Sequence, residues 1–224
     1  MYHLSIQIYL NTLFIKQNKM ITALTVNYNT PKLLELLLKS FRQFYDIPYM
    51  VIDGSDEANY NKIKNFDKKY NIELIHVGYN IHHGPGMTYG ISLINTDQIL
   101  LVDSDMIILN GGWLEKMKKS LRPNSYGIGY VNAGRDERGY IEKYLHPVFT
   151  LVNRKVILNY PMPDKSGMPL VDAMRALKET NNLHLLQEAR WLTEDLCKHK
   201  CLYVQHGSDH MGMGTINATG GYNY

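Results

Sequence analysis

Residues 98–105 read QILLVDSD: four consecutive apolar side chains, Ile99 to Val102, run directly into the triplet Asp103-Ser104-Asp105. A short, near-continuous apolar run bounded by polar residues is the pattern of a strand buried on both faces. Three earlier runs share this character: Ile21–Tyr28 (ITALTVNY), Pro48–Ile52 (PYMVI) and Ile72–Val77 (IELIHV). Helical patterns separate them. After the first strand Thr30-Pro31 offers an N-cap and a first-turn proline, and Leu33, Leu34, Leu37, Leu38 and Phe41 recur at helical spacing. Glu57–Tyr70 reads as a polar surface helix, and a glycine-containing loop with a short helix precedes Gln98. Apolar strands alternating with helices predict an α/β domain, its mostly parallel central sheet flanked by helices. Ligands of such sheets bind at the carboxyl ends of the strands. Those ends carry Asn27 and Asn29, Asp53 and Asp56, His82 and His83, and Asp103 and Asp105. Four separate clusters should therefore meet on one edge.

The bulk composition agrees with an ordinary globular protein: 45% apolar and 20% charged residues over 224 positions are enough for one domain with a real core. A formal charge of +3 gives no electrostatic case for a nucleic-acid-binding face. Cys197 and Cys201 are the only cysteines, so neither a disulfide framework nor a four-ligand zinc site is supported, and both are read as reduced structural thiols. No apolar run reaches the length of a membrane span, and residues 1–19 lack a basic start and a small-residue cleavage site; a cytoplasmic protein is expected. These residues form an N-terminal extension ahead of one domain over 20–224. Beyond residue 110 the pattern is less regular. It predicts a helix at Trp113–Leu121, strands near 126–131 and 147–152, and a turn-rich segment at 134–139. A Pro/Gly loop at 161–169, helical stretches through Asp195 and a strand at Leu202–Gln205 follow.

Two carboxylates one residue apart, directly after a buried strand, place two hard oxygen ligands on a turn where a divalent cation can bridge them to a diphosphate. A cation held there would neutralise negative charge developing on a departing diphosphate, with no proton transfer. An isolated triplet of this kind is also the composition of a solvated strand cap, so its context decides.

That context is ordered. Strand one ends in Asn27-Tyr28-Asn29, strand two in Asp53-Gly54-Ser55; Asn80 with Gly84 and Gly86 follow strand three, and Asp103-Ser104-Asp105 ends strand four. Over about residues 21–110, with a weaker echo to the C-terminus, the chain resembles glycosyltransferase family 2, whose members have the Rossmann-like GT-A fold. The resemblance implies a nucleotide-sugar-binding half over 20–110 and an acceptor-binding half over 111–224. It implies that Asn27, Tyr28, Asn29 and Asp53 line the base and ribose pocket. Gly84 and Gly86 would let the backbone pass close to the nucleotide, and Asp103 and Asp105 would hold Mn²⁺ or Mg²⁺, with Ser104 between them. Many members carry an arginine in the loop where this chain has His82 and His83, with Tyr89 nearby, so a histidine, His83 foremost, is expected to take over the diphosphate contact. His210, followed by Met-Gly-Met-Gly-Thr, resembles the histidine that completes the metal site in relatives; His206 is the alternative. A nitrogen donor there would favour Mn²⁺ over Mg²⁺.

An inverting transfer needs a general base within reach of the acceptor hydroxyl. Thr193-Glu194-Asp195-Leu196-Cys197 resembles the glutamate-aspartate pair that relatives use, which points to Asp195 with Glu194 beside it; the pair could equally be first-turn helix charges. Asp172 is the competing candidate. Arg135–Arg138 reads as a solvated charged loop, and Trp191 as core before sugar platform. The expected activity is transfer of a sugar from a nucleoside diphosphate, with UDP the expected carrier, to a hydroxyl on a glycan, glycoconjugate or other macromolecule. A nucleotidyltransferase uses a similar sheet, but Asn27-Tyr28-Asn29-Thr30-Pro31 lacks its basic, glycine-rich loop. A non-catalytic carbohydrate-binding or assembly module on the same fold is the third possibility.

Overall fold

The first four apolar runs form strands β1 (Ile21–Asn27), β2 (Tyr49–Asp53), β3 (Glu73–His76) and β4 (Gln98–Val102) in a computed structural model that describes residues 21–109 and 111–198. The expected strand at 202–205 lies outside the described residues. Between the strands run helices α1 (Pro31–Phe44), α2 (Glu57–Ile63), α3 (Phe66–Tyr70) and α4 (His83–Leu93). The pairs β2–β3, β1–β2 and β1–β4 are all parallel, so the crossovers put helices on both faces.

Strand periodicity then divides the core. Ala23, Val51, Leu100 and Val102 face one layer with Leu34, Leu37, Leu38 and Phe41 of α1. Leu24, Ile52, Ile99 and Leu101 face the other with Met87 and Ile91 of α4. Both faces of each strand are apolar because both are covered.

The second half joins the same sheet. It supplies α5 (Gly112–Ser120), β5 (Gly127–Gly129), β6 (Val131–Asp136), β7 (Gly139–Leu145) and β8 (Phe149–Asn153). Then come α6 (Arg154–Ile157), α7 (Val171–Glu179), a 3₁₀ turn at Leu183–Leu185, β9 (Leu186–Glu188) and α8 (Arg190–Lys198). The sheet order is β3-β2-β1-β4-β8-β5-β9, with β8 antiparallel to both neighbours. Among the described residues no helix is long and apolar enough to cross a membrane.

Local sequence explains where the elements depart from expectation. The single helix expected over 57–70 breaks in two: Asp56 caps α2 by accepting from the Asn59 N–H at 2.9 Å, and the chain leaves α3 through Asn71 at φ 52°. The turn-rich segment 134–139 is instead the end of a β6–β7 hairpin, closed where Gly139 takes φ 113°. Thr30 makes no side-chain cap to α1; its hydroxyl donates to Asn27 Oδ1 at 2.7 Å. Leu186–Glu188, read as part of a helical stretch, pairs with β5 as an edge strand.

Helix α4 lies unusually close to the sheet. A Cβ on Gly90 would stand 2.4 Å from Leu24 Cδ1, and one on Gly86 2.7 Å from Val26 Cγ1. Gly90→Val is therefore expected to destabilise the fold by about 1–3 kcal/mol through overpacking. Urea unfolding should show a lower midpoint with an unchanged slope.

Candidate active site

At the carboxyl edge of the parallel strands, Asp53 is fully buried and its carboxylate is surrounded by donors. Oδ1 accepts from Asn27 Nδ2 at 2.7 Å and from the Ser55 hydroxyl at 2.6 Å, while Oδ2 lies 2.8 Å from His76 Nδ1. The register explains the convergence, since Asn27, Asp53 and His76 are successive partners across β1, β2 and β3. Asn29 joins from the following turn: its N–H donates to Ser55 Oγ and its Oδ1 accepts from the Asp56 N–H. Asn29 adopts φ 53°, tolerable for asparagine in a turn. Tyr28 between them is half-buried. Asn27 and Asp53 thus hydrogen-bond each other and their neighbours at the strand ends where the resemblance puts the base and ribose pocket.

His76 was not singled out from sequence. One ring face stacks on Tyr60 at 3.8 Å and 10°. Pairing the strand ends in parallel register would have found it, because the last residue of β3 then falls beside Asp53.

The acidic triplet sits where expected, on the turn after β4. Thr25 Oγ1 donates to the Val102 carbonyl at 2.8 Å, and the Asp103 N–H donates to the Val148 carbonyl at 3.2 Å, fixing the turn from both flanks. Beyond it Met106 and Ile108 dive into the core, and the Ile108 N–H is held by Ser40 Oγ. Ser104 and Asp105 are buried at 7% and 8% exposure. Asp103 Oδ1 is shut from solvent without a hydrogen-bond partner and forms an ion pair with His83 Nε2 at 3.4 Å.

His83 opens α4. Burial disfavours its charged form, but its contact with Asp103 and the charges of Asp103 and Asp105 outweigh that and hold its pKa above the usual imidazole value. Gly84 and Gly86, expected to admit a nucleotide, have their Cβ space filled by protein. The Asp164–Lys165 backbone would stand 2.5 Å from a Cβ on Gly84, and Val26 occupies that of Gly86. Thr88 anchors the same loop through the Pro163 carbonyl. His82 has φ 62° and its N–H donates to Asn80 Oδ1. Tyr89 is exposed.

His146 flanks the triplet from the opposite side, just before Val148. Its Nε2 lies 2.7 Å from Asn132 Oδ1, and its ring stacks on Tyr130 and meets Tyr144 edge-on. Burial drives its pKa down to about 4, against a smaller opposing pull from Asp103.

The acid/base candidates are scattered by comparison. Asp195 is partly buried on α8, and Trp113 Nε1 of α5 donates to its Oδ2 at 2.8 Å. Trp113 is fully buried and was not singled out beforehand. Glu194 is exposed. Asp172 pairs with Arg138, which also bridges to Asp136, itself paired with Arg175. Arg138 thus belongs to an ion network tying the β6–β7 hairpin to α7, in place of the freely solvated loop expected. His206 and His210 lie outside the described residues, and among the described residues no group of three or more His, Cys, Asp or Glu could hold a metal ion.

With a buried acidic turn at the end of a central parallel strand, likeness to known proteins can be weighed. The sequence profile of glycosyl transferase family 2 matches residues 22–178. The chain belongs to that family. No curated protein matches it significantly. Among solved structures, a mannosyltransferase from Pyrobaculum calidifontis with GDP-Man and Mn²⁺ superposes with a TM-score of 0.55 at 12% identity, over 71% of this chain and 51% of the other. The match thus spans about half of that enzyme. Glucosyl-3-phosphoglycerate synthase from Mycobacterium tuberculosis, with Mn²⁺, UDP and glucosyl-3-phosphoglycerate, gives 0.56 at 11% identity over 77% and 70%. A 4-diphosphocytidyl-2C-methyl-D-erythritol synthase from Anaerococcus prevotii gives 0.53 at 12% identity over 77% and 87%. At such identities the likeness establishes the GT-A fold alone.

The His146 shift sets a pH dependence. Its folded pKa, about 4, lies below the ordinary value, so the unfolded chain binds more protons between them. Stability from this group is full above about pH 6.5 and lost as pH falls toward 4. After discounting for partial exposure, about 1–2 kcal/mol should disappear across that window. His146→Gln should flatten this part of the urea-stability profile.

Proposed function

We propose that this family 2 domain is a metal-dependent, inverting glycosyltransferase that moves a sugar from a nucleoside diphosphate, UDP foremost, to a hydroxyl on a glycan, glycoconjugate or other macromolecule. The observation that carries this is Asp103 Oδ1, buried without a hydrogen-bond partner at the end of β4 beside the buried Asp105. A carboxylate oxygen shut from water is costly unless something cationic faces it, and His83 at 3.4 Å offsets one charge where the turn carries two. Asp103 and Asp105, two carboxylates on one turn, would hold a hard divalent cation, Mn²⁺ or Mg²⁺. Such an ion would supply neutralisation of the charge developing on the departing diphosphate. On sequence grounds His210, or else His206, is its proposed third protein ligand. The Mn²⁺ and nucleotide ligands of the Pyrobaculum and Mycobacterium structures support the same assignment.

His83 then stands beside the acidic pair as the cationic contact for the diphosphate. Asp195 is the proposed general base. Its Oδ2 accepts from Trp113 Nε1, which fixes the orientation of the carboxylate. As the acceptor hydroxyl oxygen attacks the anomeric carbon, the bond to the diphosphate breaks and the proton passes to Asp195. Asp172 is the weaker candidate because its carboxylate is committed to Arg138. A nucleotidyltransferase shares the sheet, but the turn after β1 offers no glycine-rich basic loop.

Calorimetry with Mn²⁺ and UDP tests the donor site. Wild-type protein is expected to bind, and Asp105→Ala to weaken binding at least tenfold while leaving the far-ultraviolet spectrum unchanged. No binding of UDP, GDP or TDP by the wild type would overturn the assignment. Asp195→Asn should keep UDP affinity within about twofold and lower kcat by about 10²–10⁴; unchanged kcat would remove Asp195 from the mechanism.

A further inference from the structure

We infer that a groove at the amino edge of the sheet, on the side away from the acidic turn, is the docking site of the chain's own residues 1–19. Leu13, Phe14 and Ile15 fill the groove, and Lys16 and Lys19 meet its acidic rim. The inference is independent of the donor-site reading, because it concerns the opposite ends of the same strands.

The groove follows from the stagger of the parallel strands. β1 begins at Ile21, but β2 joins it only opposite Ala23, and β3 joins β2 at Met50, the partner of Leu24. Pro48 stands where the β2 ladder would continue and has no N–H to donate. The edge therefore steps back from β1 to β3 and leaves a hollow of about 550 Å³ beside Thr22. Ile47, Met50, Ile72, Leu93 and Ile94 line it together with the carboxylate residues Asp46 and Glu73. Leu93, at the end of α4, is 39% exposed, a large apolar side chain facing water.

Arg42 fixes the two loops that border the hollow. Its guanidinium donates to the carbonyls of Tyr45 and Ile47 in one loop and of Tyr70 and Asn71 in the other. It partly offsets Asp46, but no lysine or arginine lines the hollow itself. Asp97, next to the register partner of Ile21, adds a third carboxylate to this edge. The rim is therefore acidic around an apolar floor.

Three observations select the occupant. Thr22 is part of the wall, so the chain that precedes β1 arrives at the mouth of the groove. That stretch reads Leu13-Phe14-Ile15 and then Lys16 and Lys19, and residues 1–20 contain no aspartate or glutamate, which complements an acidic rim. From Ile21 back to Ile15 the chain can span up to about 20 Å, enough to turn back into the hollow. Being tethered, the segment also meets the groove at an effective concentration on the order of millimolar, so contacts too weak to hold a free peptide suffice.

Trypsin cleavage of the full chain after Lys16 and Lys19, followed by mass spectrometry, tests this. A docked segment is cut only when it opens, so the cleavage rate reads the open fraction. The wild type is expected to be cut there at least tenfold more slowly than a synthetic peptide of residues 10–24. Leu93→Asp, at an exposed position, and Phe14→Asp should each bring the rate within about threefold of the peptide, with cleavage elsewhere in the chain unchanged. Asp46→Asn combined with Glu73→Gln should raise it at least threefold. Wild-type cleavage at the peptide rate, or protection that survives Leu93→Asp, overturns the groove as the docking site. Protection that disappears on dilution places the segment in the groove of a second copy and overturns the assignment within one chain.

Discussion

A carboxylate with no access to water, that of Asp53, ties together the ends of three parallel strands, and the site edge depends on it. Burying such a group is tolerable only if donors surround it, and removing one leaves an uncompensated charge worth several kcal/mol. Here the donors come from Asn27 at the end of β1, Ser55 in the turn after β2 and His76 at the end of β3. Each donor is itself held: Asn27 Oδ1 by the Thr30 hydroxyl, Ser55 Oγ by the Asn29 N–H, the His76 ring by Tyr60. The polar residues of the first two turns are therefore a mutual scaffold, and whatever binds at the edge meets their outer rim.

The other end of the edge is set by a strand of opposite direction. Because β8 runs antiparallel to β4, the residues that precede it lie beside those that follow β4. This brings Val148 onto the Asp103 N–H and His146 to the flank of the triplet. Two histidines then bracket the acidic turn in contrasting states. His83 is biased toward its charged form by the carboxylates, while His146 is biased toward neutrality by burial.

The parallel block was legible because both faces of its strands are covered, which leaves a near-continuous apolar signature in Ile21–Asn27, Tyr49–Asp53 and Gln98–Val102. The triplet was legible for the same reason, since it punctuates such a run. The β6–β7 hairpin was not. Its strands alternate exposed polar residues such as Asn132, Arg135 and Glu142 with few apolar ones, and a Gly-Arg-Asp-Glu-Arg-Gly segment looks like a turn until Arg175 and Asp172 are seen to pair with it. His76 was hidden because its meaning comes from Asp53, 23 residues earlier at the end of the adjacent strand, and not from its own surroundings. Trp113 and Asp195 show the same limit, joined across 82 residues by one hydrogen bond.

The glycines of α4 are the sharpest case of a right position with a different physical purpose. Gly86 and Gly90 lie over Val26 and Leu24, so the helix approaches β1 more closely than any residue with a Cβ would permit. Gly84 faces the Asp164–Lys165 backbone, so a loop from the second half seats against the first turn. The three together fix where His83 stands relative to Asp103. A side chain at Gly84 would meet backbone, which cannot swing aside as a leucine tip can, and would push the helix start or the loop away. The cost would appear at the acidic turn although no ligand contact had been removed, because the distance between His83 and Asp103 is set by packing.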